Sequence, residues 1–204
     1  MKKMIGIVGN NAEYDEKLAD YFVECQAVVK RISINSPLYN TLQEIFKKDF
    51  RVDQEIGPVQ LTADHIRLFY FKLNKGIHSV SHFLGKEFTK TADLFRYYKD
   101  KVGEKPYGKN WVLDVLQEDF DFYPAGVYLI TDLTFEEADE LKARFGKDFV
   151  SMRAVEEGGE EPAVDVPLHI KTTKKSTEQE ANQALKQVKQ LFSKESASAR
   201  TTTA

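Results

Sequence analysis

The chain has 204 residues, 42% hydrophobic and 12% aromatic, with 29 Lys and Arg against 32 Asp and Glu for a net charge of −3. That is enough apolar material for a folded core, and the near-balanced charge gives no long-range pull towards nucleic acid or an anionic membrane. No run approaches the ~20 apolar residues of a membrane-spanning helix; the stretch after Met1-Lys2-Lys3 stops at Val8, too short for a signal-peptide core; and the single cysteine, Cys25, excludes an internal disulfide or a cysteine-based metal cluster, so a reducing, cytoplasmic setting is expected.

Met4 to Val8 is an uncharged apolar run closed by Gly9, as expected of a central strand covered on both faces. Residues 9 to 14 read as a tight loop. A helix is expected from Asp15, which would cap it, to about Glu24. Leu18, Tyr21 and Phe22 share one face and Cys25 continues the stripe, which predicts a buried, inert thiol. Ala27 to Ile34 reads as a second strand. Ser36 is placed to cap the next helix with Pro37 at its first position, and Leu38, Leu42, Ile45 and Phe46 follow at helical spacing. Strand, loop, helix, strand, loop, helix is an α/β pattern with parallel strands.

Residues 49 to 62 lack clear periodicity, and Gly57-Pro58 marks a turn. Helices are expected from Thr62 to Gly76, from Thr91 to about Lys101, and from Asn110 to about Leu116, where Trp111 is a core residue. His78 and His82 are four apart and could share a helix face toward a metal, but no third ligand is evident and no metal is expected. Val127 to Asp132 is a second buried-strand signature ending in a carboxylate. Thr134 with Glu137 three residues on is a capping box, and Gly146 closes that helix. Phe149 to Arg153 reads as a strand, 156 to 162 as an acidic Gly-rich loop, Leu168 to Ile170 as a last short strand, and Ser176 to Phe192 as a final helix. Residues 193 to 204 are small and polar and are expected to be disordered. No internal repeat is visible.

Four stretches resemble the deoxynucleoside monophosphate kinases of bacteriophages, within the P-loop kinase superfamily. Gly9 to Phe22 aligns without gaps to the family's G-x-x-G-x-G-K-D-T-x-A-x-x-L. Ile32 to Leu42 is similar to its strand followed by A-x-P-L-K-x-x-L, Tyr107 to Val112 to G-x-x-x-W-V, and Ile130 to Ala138 to I-x-D-x-R-F-x-x-E-A. The resemblance covers most of residues 4 to 192. It implies a three-layer P-loop kinase-like α/β fold, with a mostly parallel central sheet flanked by helices. It also implies one domain over 1–192, with a helical substrate lobe inserted at about 50 to 120.

The departures fall where phosphoryl transfer needs its chemistry. Asp15 stands where the loop has Lys, Glu16 where the next residue binds, and Glu13 adds a third carboxylate. Tyr14 replaces a glycine whose bare backbone would approach the phosphates. One like-charge pair at ~4 Å costs about 4 kcal/mol at an effective dielectric of ~20. Lys17 is half a turn away and substitutes poorly. Thr134 replaces the family's Arg, while Asp132 remains at a strand end, where ligands bind in open α/β sheets.

The expected function is therefore a kinase-like phage protein that has lost phosphoryl transfer. It would act on a protein partner or a nucleotide in a regulatory, inhibitory or assembly role in the host cytoplasm, without a cofactor, and a homodimer is possible. An active deoxynucleoside monophosphate kinase using ATP and Mg²⁺, with Asp132 and Lys17 catalytic, is the alternative. A monophosphate sensor is a third. The loop contacts to a nucleotide would come from Gly9, Asn10, Asn11, Asp15 and Glu16, and the substrate contacts from Arg67, Arg96 and Lys105.

Overall fold

The computed structural model describes residues 2–8, 12–25, 28–76, 79–156, 169–172 and 182–190. The chain divides into two compact units: one formed by residues 1–34 and 123–204, the other by Asn35–Phe122.

The first unit is an α/β layer structure. Its strands are β1 (Lys2–Val8), β2 (Lys30–Ser33), β5 (Gly126–Leu133), β6 (Phe149–Glu156) and β7 (His169–Thr172). They form one sheet in the order β2-β5-β1-β6-β7. Every pairing is parallel, with Ile5 opposite both Leu129 and Val150, and Gly6 opposite both Ile130 and Ser151. The β7 strand pairs with Arg153–Glu156, beyond the part of β6 that pairs with β1. The uncharged run Met4–Val8 thus becomes the middle strand, buried from end to end. Gly6 has to be glycine: a Cβ there would lie 2.7 Å from the side chains of Leu133 and Phe149.

The crossovers fix which face each helix covers. The step from β1 to β2 through α1 (Ala12–Glu24) and the step from β5 to β6 through α7 (Phe135–Phe145) run in opposite directions across the sheet. Right-handed crossovers therefore put α1 and α7 on opposite faces. On the α1 face, Leu18, Ala19 and Phe22 pack on Ile5, Ile7, Leu129, Val150 and Met152. The helix at residues 182–190 adds Ala184, Leu185 and Val188 to the same core. The start of α7 is held by the expected capping box, with the Glu137 N–H donating to Thr134 Oγ1 (3.2 Å) and the Thr134 N–H to Glu137 (2.9 Å).

Several local expectations change. Helix α1 begins at Ala12, so Asp15 lies inside its first turn instead of capping it. Cys25 follows the last helical residue, where the chain has left the packed face, and it is exposed instead of buried.

The second unit contains α2 (Ser36–Phe46), β3 (Glu55–Gln60), α3 (Ala63–Lys72), β4 (Glu87–Lys90), α4 (Thr91–Tyr97), α5 (Lys105–Tyr107) and α6 (Trp111–Asp121). A π-helical stretch, Tyr98–Glu104, joins α4 to α5. The unit takes in α2 as well as the region from about 50 to 120. Asn35, not Ser36, sits at the N-cap of α2, with no side-chain capping bond. The aperiodic stretch 49 to 62 holds β3, paired antiparallel with β4. Gly57-Pro58 lies inside β3 at an irregularity between Glu55 and Val59, where the ladder is interrupted and proline's missing N–H costs little.

Aromatic rings fill this second core. Phe69 meets Tyr98 at 4.8 Å and Trp111 at 5.9 Å, and Tyr98 meets Phe46 at 5.9 Å, all near edge-on. The π-helical stretch departs from the regular α-helical ladder. Its carbonyls find side-chain donors: Trp111 Nε1–H donates to Lys99 O (3.2 Å) and Tyr70 Oη–H to Val102 O (3.0 Å). Gly103 lets the indole pass, since a Cβ there would lie 2.2 Å from Trp111 Cε2. Trp111 is core, as its spacing predicts.

Candidate functional site

Ligands in open parallel sheets bind outside the carboxyl ends of the strands, where successive crossovers leave for opposite faces. In the first unit that place is the C-terminal end of adjacent strands β1 and β5. The sequence-predicted residues Glu16 and Asp132 converge on this end of the sheet through a third residue, Arg31.

Arg31 is the second residue of β2, in register with Leu129. Paired residues in neighbouring strands share a face, and Leu129 belongs to the core under α1. The Arg31 side chain is thereby directed to the α1 side. Glu16 and Asp20 are four residues apart on one face of α1. The guanidinium donates to Glu16 Oε1 through Nη2 and to Asp20 Oδ1 through Nη1 at 3.1 Å. Its pKa is raised, chiefly by the hydrogen bond to Glu16. Burial opposes this, and the charges of Glu16, Asp20 and Asp132 reinforce it. Three carboxylates thus bear on one cation. Sequence reasoning missed Arg31 because it reads as one residue of a strand. The available signal was the pair of charges Lys30-Arg31 set between the apolar Val29 and Ile32.

Asp132 owes its placement to a break in register. Gly6 pairs with Ile130 but Val8 pairs with Leu133, so β5 carries one extra residue opposite β1. Asp132 takes up that residue in a left-handed conformation, φ 61°, one of three non-glycine residues with positive φ among those described. Its side chain is exposed at the strand end. Thr131, immediately before it, is 3% exposed, and its Oγ1 has no hydrogen-bond partner among the described residues. Its carbonyl accepts the Ile34 N–H at 3.0 Å, which ties the end of β2 to β5.

The remaining predicted residues fall as follows. Gly9, Asn10 and Asn11 lie outside the described residues. Asp15 is half-buried in the first turn of α1, and Lys17 is exposed on the same helix. In the second unit Arg67 pairs with Asp64 (3.6 Å) and Arg96 with Asp93 (4.0 Å), each three residues along its own helix and well exposed. Lys105 is exposed at the start of α5. These three cations stand on α3, α4 and α5, and two of them are already matched by a local acid. His78 lies outside the described residues, as do Ser176 and the tail from 193; His82 is exposed in a 3₁₀ turn, Ser81–Phe83. No cluster of three His, Cys, Asp or Glu side chains suited to a metal occurs among the described residues. No described helix is long and apolar enough to cross a membrane.

The segment similar to A-x-P-L-K is built into the second unit. Pro37, Leu38, Thr41 and Leu42 are buried along α2. Asn35 accepts from Lys99 Nζ at 3.1 Å, and Tyr39 stacks on Phe95 with centroids 4.6 Å apart. The two contacts step in opposite directions along the chain, so α2 lies antiparallel to α4 and its π-helical continuation.

No protein-family model matches this chain, and no curated protein matches it.

Proposed function

We propose that the chain is a nucleotide-kinase-like phage protein that has lost phosphoryl transfer and acts by binding a protein partner in the host cytoplasm, in a regulatory, inhibitory or assembly role. The observation that carries this reading is the commitment of Glu16 to Arg31. By the resemblance, Glu16 stands beside the lysine position of a phosphate-binding loop. Here that turn presents Asp15 and Glu16, and the nearest strand cation is spent on Glu16 and Asp20. A triphosphate approaching the turn would meet carboxylates, with Arg31 already neutralised. The strand order β2-β5-β1-β6-β7 supports the kinase-like reading, because it puts β1 at the centre with its carboxyl end at the switch point.

The partner reading draws on α3. Leu68 and Phe71 lie three residues apart on that helix and are 39% and 76% exposed. A solvent-facing pair of that size on a short helix suits contact with another protein.

The test has two arms. ATP with Mg²⁺, and each deoxynucleoside monophosphate, should leave the melting temperature unchanged at millimolar concentration. A ligand at a hundredfold excess over Kd would add about 2.7 kcal/mol. Affinity capture should retain a partner that a Leu68→Asp, Phe71→Asp variant loses. ATP-dependent phosphorylation of a deoxynucleoside monophosphate would replace this reading with the active kinase, for which the exposed Asp132 is the available carboxylate. A response to monophosphates alone would favour a sensor.

A further inference from the structure

We infer that the second unit carries an anion site at the C-terminal end of α2, suited to a small phosphorylated ligand without an aromatic base. A cavity of about 700 Å³ opens there, within the range of small-molecule sites. Its organising residue is Arg51, whose guanidinium is held by two neutral oxygens. Nη2 donates to Asn40 Oδ1 at 2.7 Å and Nη1 to Gln43 Oε1 at 3.3 Å. Amide oxygens orient the fork, and the ion pair that Asp49 makes with Nη1 is long, at 3.9 Å, so it offsets the charge only in part. The other N–H groups of Arg51 make no hydrogen bond among the described residues. A fork fixed in this way suits the oxygens of a phosphate.

The nearby acids are occupied. Asp49 Oδ1 accepts the backbone N–H of Arg51 at 3.0 Å and stands 3.9 Å from Nη1. Glu44 is paired with Lys72, which holds its carboxyl below the ordinary range, mainly through that hydrogen bond. Lys47 and Lys48 also line the cavity; Lys47 adds to the field that lowers the Glu44 pKa, and neither ammonium makes a hydrogen bond among the described residues. Lys47 is held in place by backbone geometry: it is the left-handed cap of α2, φ 57°, its N–H donating to Gln43 O. Three cations therefore face the space with two carboxylates already engaged. The lining includes no aromatic and no branched aliphatic residue. A nucleobase would find no stacking surface there, which points to a phosphorylated polyol or pyrophosphate.

The site is tested by isothermal titration of the full chain with inorganic pyrophosphate, glycerol 3-phosphate and AMP in low salt. Saturable binding is expected for the first two, weakened by added salt, with AMP no tighter than glycerol 3-phosphate. Arg51→Gln should weaken pyrophosphate by about tenfold or more, the effect of removing a charge-assisted hydrogen bond. Lys48→Gln, at an exposed residue with no side-chain contact to lose, should weaken it about threefold. Lys109→Gln, at an exposed residue of the same unit outside the cavity lining, should leave it unchanged. No saturable binding, or equal affinity in the Arg51 and Lys48 variants, would remove the site. AMP binding tenfold tighter than glycerol 3-phosphate would overturn the ligand class. Because ATP and monophosphates carry the same phosphate chemistry, the thermal-shift arm that reads the Glu16 turn is run in the Arg51→Gln variant: a shift that persists there belongs to the turn, and one that disappears belongs to this site.

Discussion

Glu16 on α1 accepts a hydrogen bond from Arg31 on β2, across fifteen residues of sequence and one crossover connection. The pair is partly exposed, with 26% of the Arg31 side chain and 54% of the Glu16 side chain open to solvent. Solvent screens such a bridge, so its contribution is modest. A double-mutant cycle of Glu16→Gln and Arg31→Gln, read by urea unfolding, should give a coupling of about 0.5–1 kcal/mol. The coupling should shrink in 1 M salt. A coupling of zero at low salt would mean the acids of α1 are free to meet a ligand.

Asp132 tests whether its carboxylate or its backbone matters to the fold. A left-handed residue with a Cβ costs roughly 1–2 kcal/mol, least for Asn and Asp. Asp132→Asn should leave stability within about 0.5 kcal/mol. Asp132→Gly should be neutral to stabilising, and Asp132→Val should lose about 1–2 kcal/mol. Chemical denaturation of the three variants separates them. Equal loss in Asn and Val would show that the charge, not the φ angle, is what the strand end requires.

Gly103→Ala places a methyl group on the buried Trp111 ring, so the indole or the π-helical backbone has to shift. Overpacking of that kind costs typically 1–3 kcal/mol, and a value near about 3 kcal/mol is expected from the 2.2 Å approach. The midpoint of urea unfolding, together with Trp111 fluorescence, reports it. A shorter side chain at 111 should relieve the strain in a Gly103→Ala, Trp111→Leu double variant.

His65 caps α3 in its neutral form. Its Nδ1 accepts the Thr62 N–H at 3.4 Å, its own N–H donates to Thr62 Oγ1 at 3.3 Å, and its ring lies 4.8 Å from Phe46. Burial lowers its pKa below 6.5, with Asp64 opposing. A histidine whose folded pKa is depressed binds its proton more readily unfolded. Its contribution is thus fully present above about pH 6.5 and is lost as pH falls below it. Unfolding midpoints at pH 7.5 and 5.5 should differ more in the native chain than in His65→Gln. An equal or smaller loss in the native chain would show that the ring protonates in place.

Cys25 should react stoichiometrically with a thiol reagent under native conditions, one label per chain by mass, because it lies past the end of α1 and is exposed. A thiol that reacted only after denaturation would restore the buried position that the apolar stripe suggests.

Much of this was legible in the residues themselves. The uncharged run at Met4–Val8 reads as a doubly covered strand and is one. The Thr134 and Glu137 capping box announces α7, and the spacing around Trp111 marks a core position. These signals are local, set by propensity, periodicity and capping within a few residues. Helix boundaries were less legible, as at Ala12 and Ser36, because the hydrogen-bond ladder extends as far as packing supports it.

The sequence by itself determined an alternating α/β chain with a parallel sheet and an acidic turn after its first strand. Only the tertiary structure decided that β5 and β6 would flank β1, that an extra residue would set Asp132 at φ 61°, and that Glu16 would meet Arg31. Strand order and register depend on crossovers tens of residues long, and an ion pair depends on where two elements meet. Neither distance is encoded in the spacing of neighbouring side chains.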